Sequence, residues 1–234
     1  MNWVLANLPT IAGHLLAHLL QVVPAIIASF VLAIPVARLA RASRPLRAVL
    51  VTGSSLLYAI PSLALFVILP IILATGIRDP LNVIVALTLY GLALLVPATA
   101  DALDAVDARV LDAATAMGMG RMRCLLTVKL PLAGPAIPTG LRVVTVSTIS
   151  LTTVGAVLGV RSLGWLFTDG FQRGITAEIV TGLVATAALA LVLDGLVLAL
   201  GRLCLPWTWK RANAGAVPAG TWAAASHRQE GQAG

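Results

Sequence analysis

Few residues in this chain are suited to chemistry, and their spacing bears on what that chemistry is. Nine carboxylates and three histidines supply all the acid–base and hard-metal ligands. Asp101, Asp104 and Asp107 recur every third residue, a spacing that lines one side of a helix. Such a face can hold a divalent ion over a phosphorylated substrate, as in a membrane-embedded lipid head-group transferase. Those enzymes need Asp-Gly pairs and a second aspartate pair downstream. Here Ala102 follows Asp101 and no second pair occurs, so a solvated face is the simpler expectation. His14 and His18 lie one helical turn apart, but no third ligand accompanies them, and they read as polar residues at an interface. Asp194 stands alone in an apolar run, which calls for a reason: a cation site, or pairing near the run's end with Arg202 or backbone. Arg142, one to two turns into another run, reads as a side chain that snorkels to the interface. No G-x4-G-K-[S/T] sequence is present, and neither a catalytic group nor a metal site is expected.

The elements that must carry these residues are apolar. Hydrophobic residues make up 59% of the chain and charged ones 11%, against roughly 25% in soluble domains. The mean hydropathy is +0.97. A soluble core of 234 residues has no room for so much apolar surface, so the bilayer is the expected solvent. The net charge of +7 would suit nucleic acid, but no aromatic-basic platform accompanies it, and nucleic acid is not an expected partner.

Five apolar segments stand out, at 19–37, 48–75, 81–100, 136–158 and 179–200. The second is long for one straight span and contains Pro61 and Pro70, so it is one kinked helix or two half-spans. The cations arbitrate. Arg38, Arg41, Arg44 and Arg47 precede that segment. Arg109, Arg121, Arg123 and Lys129 lie between the third and fourth, and Arg202, Lys210, Arg211 and Arg228 follow the fifth. Positive loops stay on the cytoplasmic side, so the second segment must cross once. The expected fold is all-α, a polytopic membrane protein with about five transmembrane helices, N-terminus out and C-terminus in. Residues 1–14 are then extracytoplasmic, without the basic start or cleavage site of a signal peptide. Residues 15–205 form the membrane domain, and 206–234 a disordered cytoplasmic tail. Cys124 and Cys204 fall on the cytoplasmic side and are expected reduced.

The loop between the third and fourth segments carries the most information. Val106, Val110, Leu111 and Ala114 line one face of a helix, Gly118 and Gly120 break it, and a second helix runs from Arg121 until Pro131 stops it. Ala113 and Ala114 permit close approach, Gly118 a sharp turn, and Asp112 offers a charge. A bent pair of this kind can fill a groove on a partner.

Asp112-Ala113-Ala114-x3-Gly118-x9-Val128-x-Leu130-Pro131 resembles the EAA loop of bacterial ABC importer permeases, with Asp for the family's Glu and Val for its Ile. The resemblance implies a type I ABC importer permease fold and a coupling element at 101–135. Asp112, Ala113, Ala114, Gly118, Val128, Leu130 and Pro131 would sit at the ATP-binding subunit. It implies that ATP is bound by two copies of that partner, with no cofactor on this chain. It also implies a second permease, self or sister, a separate extracytoplasmic solute-binding protein, and a setting in membrane lipid. Tyr58-Ala-Ile-Pro61-Ser62-Leu-Ala-Leu65, Gly140-Leu-Arg142 and the stretch from Val154 to Phe167 resemble the osmoprotectant permeases for glycine betaine, carnitine, choline or proline betaine. Permeases for methionine or another amino acid are the nearest alternative. Tyr58, Pro61, Ser62 and Asp194 are candidate pathway residues. Tyr90, Trp165 and Phe167 read as interface anchors, and Gly155 with Gly159 as a helix-packing pair.

Overall fold

The computed structural model describes residues 2–41 and 43–204, and the tail expected at 206–234 lies outside them. Helix α1 (Asn2–Ala6) leads into α2 (Leu8–Ala40), which carries Pro24 and Pro35 in its interior, as apolar surroundings tolerate. The helix starts well before residue 19, where the first apolar segment begins. The polar His14 and His18 masked its first turns, but both are turned into the bundle, at 6% and 0% exposed.

Next come α3 (Arg44–Arg47), a π turn at Ala48–Thr52, α4 (Gly53–Tyr58) and α5 (Ser62–Leu73). The segment before Pro61 and the one after it meet at 109°. Proline excludes helical backbone from the residue before it, so the break falls at Ile60. The Ile60 carbonyl, released from the helix, accepts a 2.6 Å hydrogen bond from the Tyr90 hydroxyl. The second apolar segment is therefore two half-helices.

Helix α6 (Pro80–Asp104) starts on Asp79, whose carboxylate accepts from the Leu81 amide at 2.9 Å. The following loop holds α7 (Ala108–Ala116), α8 (Arg121–Cys124), a π turn at Leu125–Lys129 and α9 (Leu130–Ala133). Helix α10 (Ala136–Val154) continues into a 3-10 turn at Gly155–Leu158. Helices α11 (Trp165–Arg173) and α12 (Thr176–Cys204) complete the described chain. Gly155 and Gly159 do not form a packing stripe. The helix ends before them, Gly155 opens the turn and Gly159 closes it with φ +82°.

Four elements are long and apolar enough to cross a bilayer, and the bent pair makes a fifth if it counts as one span. Contacts between helix ends show that it does. Arg41, just past α2, donates to the Leu103 carbonyl at 3.0 Å and pairs with Asp104 at 3.0 Å. The C-terminal ends of α2 and α6 thus lie together, so these helices run the same way. The bent pair must return the chain from one end of the bundle to the other. Gly155 lies against Val83 and Gly140 against Leu95 and Ala98, so α10 runs back along α6. Five passes result.

In lipid, helices gain little from hydrophobicity and associate through close packing and polar contacts. The central pair α2–α6 shows both. A Cβ on Gly91 would sit 2.1 Å from Ser29 Oγ, so only glycine fits there. Ser29 spends that closeness on hydrogen bonds to the carbonyls of Ala25 (2.7 Å) and Thr88 (3.2 Å). Over its apolar window α6 is 56% buried, whereas α12 is 6% buried and lies at the edge of the bundle.

Candidate functional site

The loop at 105–135 is built from local signals. Asp107 caps α7 by accepting from the Arg109 amide at 2.9 Å. The helix ends in a left-handed turn at Gly118, φ +78°, with the amides of Gly118 and Met119 returning to Thr115 and Ala114. Ala114 is buried. Asp112, Ala113 and Gly118 are exposed, and nothing lies within 4 Å of a Cβ placed on Gly118. Asp112 has no ion-pair partner among the described residues. Met117 (71% exposed) and Met122 (52%) stand beside this turn as adaptable apolar side chains.

Pro131 does not end the second helix, contrary to the sequence expectation. The helical path continues to Ala133, through Val128 in the π turn and Leu130 and Pro131 in α9. A proline lacks the amide that an α-helix needs and crowds the carbonyl four residues earlier. The wide π turn immediately before it absorbs both effects.

The three spaced aspartates are structural. Asp104 pairs with Arg41 and Arg47, Asp101 pairs with Arg47 at 3.3 Å, and Asp107 is the helix cap. Through Arg41, Asp104 and the Leu103 carbonyl fasten the end of α6, just ahead of α7, to the end of α2, and Arg47 fastens it to α3. Burial, and then Arg47, hold the Arg41 guanidinium below its ordinary pKa.

Two membrane charges read separately from sequence prove to be partners. Arg142 Nε and Nη2 donate to the two carboxylate oxygens of Asp194, each at 2.7 Å. The expected snorkelling of Arg142 is thus replaced by a bidentate pair between α10 and α12, and Asp194 is not an empty cation site. The two residues are 52 apart, so neither run reveals the match alone.

At the break, exposed Tyr58 and Pro61 and half-buried Ser62 line the junction of the half-helices. Tyr58 packs edge-on against Tyr90 with ring centroids 5.8 Å apart. Non-helical backbone at this depth survives where protein covers it or a cavity lines it, and the Tyr90 hydroxyl supplies the cover.

The histidines lie at the opposite end of the bundle and are turned inward. His14 stacks on Trp165 at 4.7 Å, and His18 Nδ1 accepts from the Leu163 amide at 3.4 Å. Gln21 donates to the Arg161 carbonyl at 2.7 Å. These contacts tie the 159–165 turn to α2. Among the described residues no three metal-ligating side chains converge.

Residues 25–209 match the family described as binding-protein-dependent transport system inner membrane component. The chain is similar to the glycine betaine/carnitine/choline transport system permease protein OpuCD of Bacillus subtilis (strain 168), 29% identical over 84% of this chain and 85% of that one. It is similar to the choline transport system permease protein OpuBD of the same organism, 30% identical over 84% of this chain and 86% of that one. Among solved structures it resembles a chain of the inward-facing MetNI methionine ABC transporter, with a TM-score of 0.69 and 21% identity over 84% of this chain and 94% of that one. That likeness establishes the fold, and the lipid head-group transferase alternative falls away. The chain belongs to the binding-protein-dependent transport family of inner membrane components, as a multi-pass membrane subunit with the ABC importer permease fold.

Proposed function

We propose that the chain forms part of the translocation pathway for a quaternary-amine osmoprotectant (glycine betaine, carnitine, choline or proline betaine), driven by ATP hydrolysis on a separate subunit. The observation that carries this reading is the relatedness to choline and glycine betaine permeases across almost the whole membrane domain.

The geometry supports a mechanical role for the loop. The turn at Asp112–Gly118 is exposed for docking, while the α6 end just ahead of it is fastened to α2 by the Arg41–Asp104 pair and to α3 by Arg47 with Asp101 and Asp104. An ATP-hydrolysing subunit seated on Asp112, Ala113 and Gly118 would move two spans as one body. Val128, Leu130 and Pro131 would carry the same motion into α10. This is rigid-body switching of packed helices.

The pathway residues follow from the break. Tyr58, Pro61 and Ser62 sit where a span is interrupted, the arrangement that secondary transporters use for substrate contact. Asp194 leaves that group, because Arg142 neutralises it. A cationic substrate accordingly meets no net charge from this pair. Helix α12, so little covered, would face lipid or a second permease, identical or sister, and the solute would arrive on an extracytoplasmic binding protein. The arginines at the α2–α6 end support a cytoplasmic position for that end, which would leave the N-terminus outside and Cys204 inside.

The test is uptake of labelled glycine betaine, carnitine, choline and methionine by an uptake-deficient host expressing this chain with its ATP-hydrolysing subunit, sister permease and binding protein. Quaternary-amine uptake is expected. Methionine uptake alone would contradict the substrate class and leave the family assignment standing. Labelling of Cys204 by an impermeant thiol reagent from outside would contradict the orientation.

A further inference from the structure

A cavity of about 490 Å3 opens between the cytoplasmic ends of the spans and the α7–α9 loop. Arg38 and Arg41 reach it from the end of α2, and Arg121 and Lys129 from the loop, with leucines including Leu111 completing the wall. No carboxylate lines it among the described residues. Asp104 holds Arg41, and Arg38 donates to the sulfur of Met122 with no carboxylate partner among the described residues. Lys129 is the anomaly. The residue is 8% exposed, its ammonium reaches the cavity, and that group has no hydrogen-bond or ion-pair partner among the described residues.

A lysine is rarely buried without a counter-charge, because desolvation of the ammonium goes uncompensated. Burial, and then the nearby Arg41, push Lys129 below the ordinary lysine range. The strain vanishes if an anion enters. Lys129 also closes the π turn, a distortion that often marks a functional position.

We propose that this cavity binds a phosphate group, with Lys129, Arg121 and Arg38 as donors, and that the phosphate belongs to an anionic phospholipid. Guanidinium and ammonium groups converging without carboxylates are phosphate chemistry. The lipid source follows from position: the cavity lies where the apolar run of α2 ends, and its wall mixes cations with leucines. A head group here clamps the loop to α2 beside the Arg41–Asp104 pair. The site is independent of the transported solute.

The full-length chain, purified and stripped of lipid in neutral detergent, is titrated with short-chain phosphatidylglycerol, short-chain phosphatidylcholine and inorganic phosphate, and thermal unfolding is followed. Phosphatidylglycerol is expected to raise the Tm and phosphatidylcholine not to. Lys129→Met is expected to weaken the phosphatidylglycerol response about tenfold or more in apparent Kd, and Lys129→Arg to retain it. Without ligand, Lys129→Met should be at least as stable as the native chain, since it removes an unpaired charge on a largely buried side chain. Should that variant misfold, the exposed Arg121→Gln carries the same test. Inorganic phosphate reproducing the shift, with the same dependence on Lys129, would keep the phosphate site and reassign its source to a free anion. No shift from either anion, or a shift unchanged in both Lys129→Met and Arg121→Gln, would overturn the proposal. So would a Lys129→Met chain that binds phosphatidylglycerol normally but no longer co-purifies with the ATP-hydrolysing subunit, which would place a protein carboxylate in the cavity.

Discussion

Arg142 of α10 and Asp194 of α12 lie fork to carboxylate, with both hydrogen bonds at 2.7 Å. This joins the peripheral α12 to the rest of the bundle through a geometry that lysine does not reproduce. Arg142→Leu or Asp194→Leu alone leaves one charge unmatched in an apolar setting. Each single variant is expected to lower the yield of folded chain several-fold by fluorescence-detected size exclusion. The double variant Arg142→Leu/Asp194→Leu should recover most of it. Losses that simply add in the double variant would show that the two residues act separately.

Gly118 turns the chain with φ +78° in open space, so its requirement is conformational. Gly118→Val forces a β-branched residue into left-handed backbone, at about 1–2 kcal/mol, and re-aims α8 relative to α7. Membrane insertion should persist and ATP hydrolysis by the complex should continue, while uptake falls by about tenfold. Uptake at the native rate would show that the turn is not the coupling point.

The Tyr90 hydroxyl is the partner of the broken span's Ile60 carbonyl. Tyr90→Phe removes one hydrogen bond, worth about 0.5–1.5 kcal/mol, and keeps the edge-on contact with Tyr58. Thermal unfolding should shift by that amount, and uptake should fall further than stability alone explains. An unchanged unfolding curve would mean that the carbonyl has another partner.

The Arg41–Asp104–Arg47 cluster is partly exposed, so its effect should be modest and salt-sensitive. Asp104→Asn is expected to cost about 0.2–1 kcal/mol per pair at low salt and less at high salt. Equal destabilisation at both ionic strengths would point to packing instead of charge.

Local signals made much of this legible in the sequence. The loop's turn, its cap region and its glycine depend on residues within a few positions of one another, so spacing alone places α7 and Gly118. The single crossing of 48–75 followed from the arginines, because a whole loop's charge is involved. Non-local contacts were hidden. His18 meets Leu163 across 145 residues, and Arg142 meets Asp194 across 52. From sequence His18 reads as a polar residue at an interface, Arg142 as a snorkelling side chain and Asp194 as a lone carboxylate, with nothing to pair them. Pro131 misled for a different reason: its effect is cancelled by a π turn that no residue pattern announces. The start of α2 was missed because its polar histidines look exposed until the bundle covers them.

The central claim is that an ATP-hydrolysing partner seats on the Asp112–Gly118 turn, and site-specific cross-linking tests it most directly. A chain with Cys124 and Cys204 replaced by serine carries one new cysteine, Ala113→Cys, and is co-expressed with that partner. A matched control carries Arg78→Cys at the opposite end of the bundle. A short thiol-directed photo-cross-linker should give a two-chain adduct from position 113 and none from position 78. An adduct from position 78 alone, or from neither position in an intact complex, would contradict the claim.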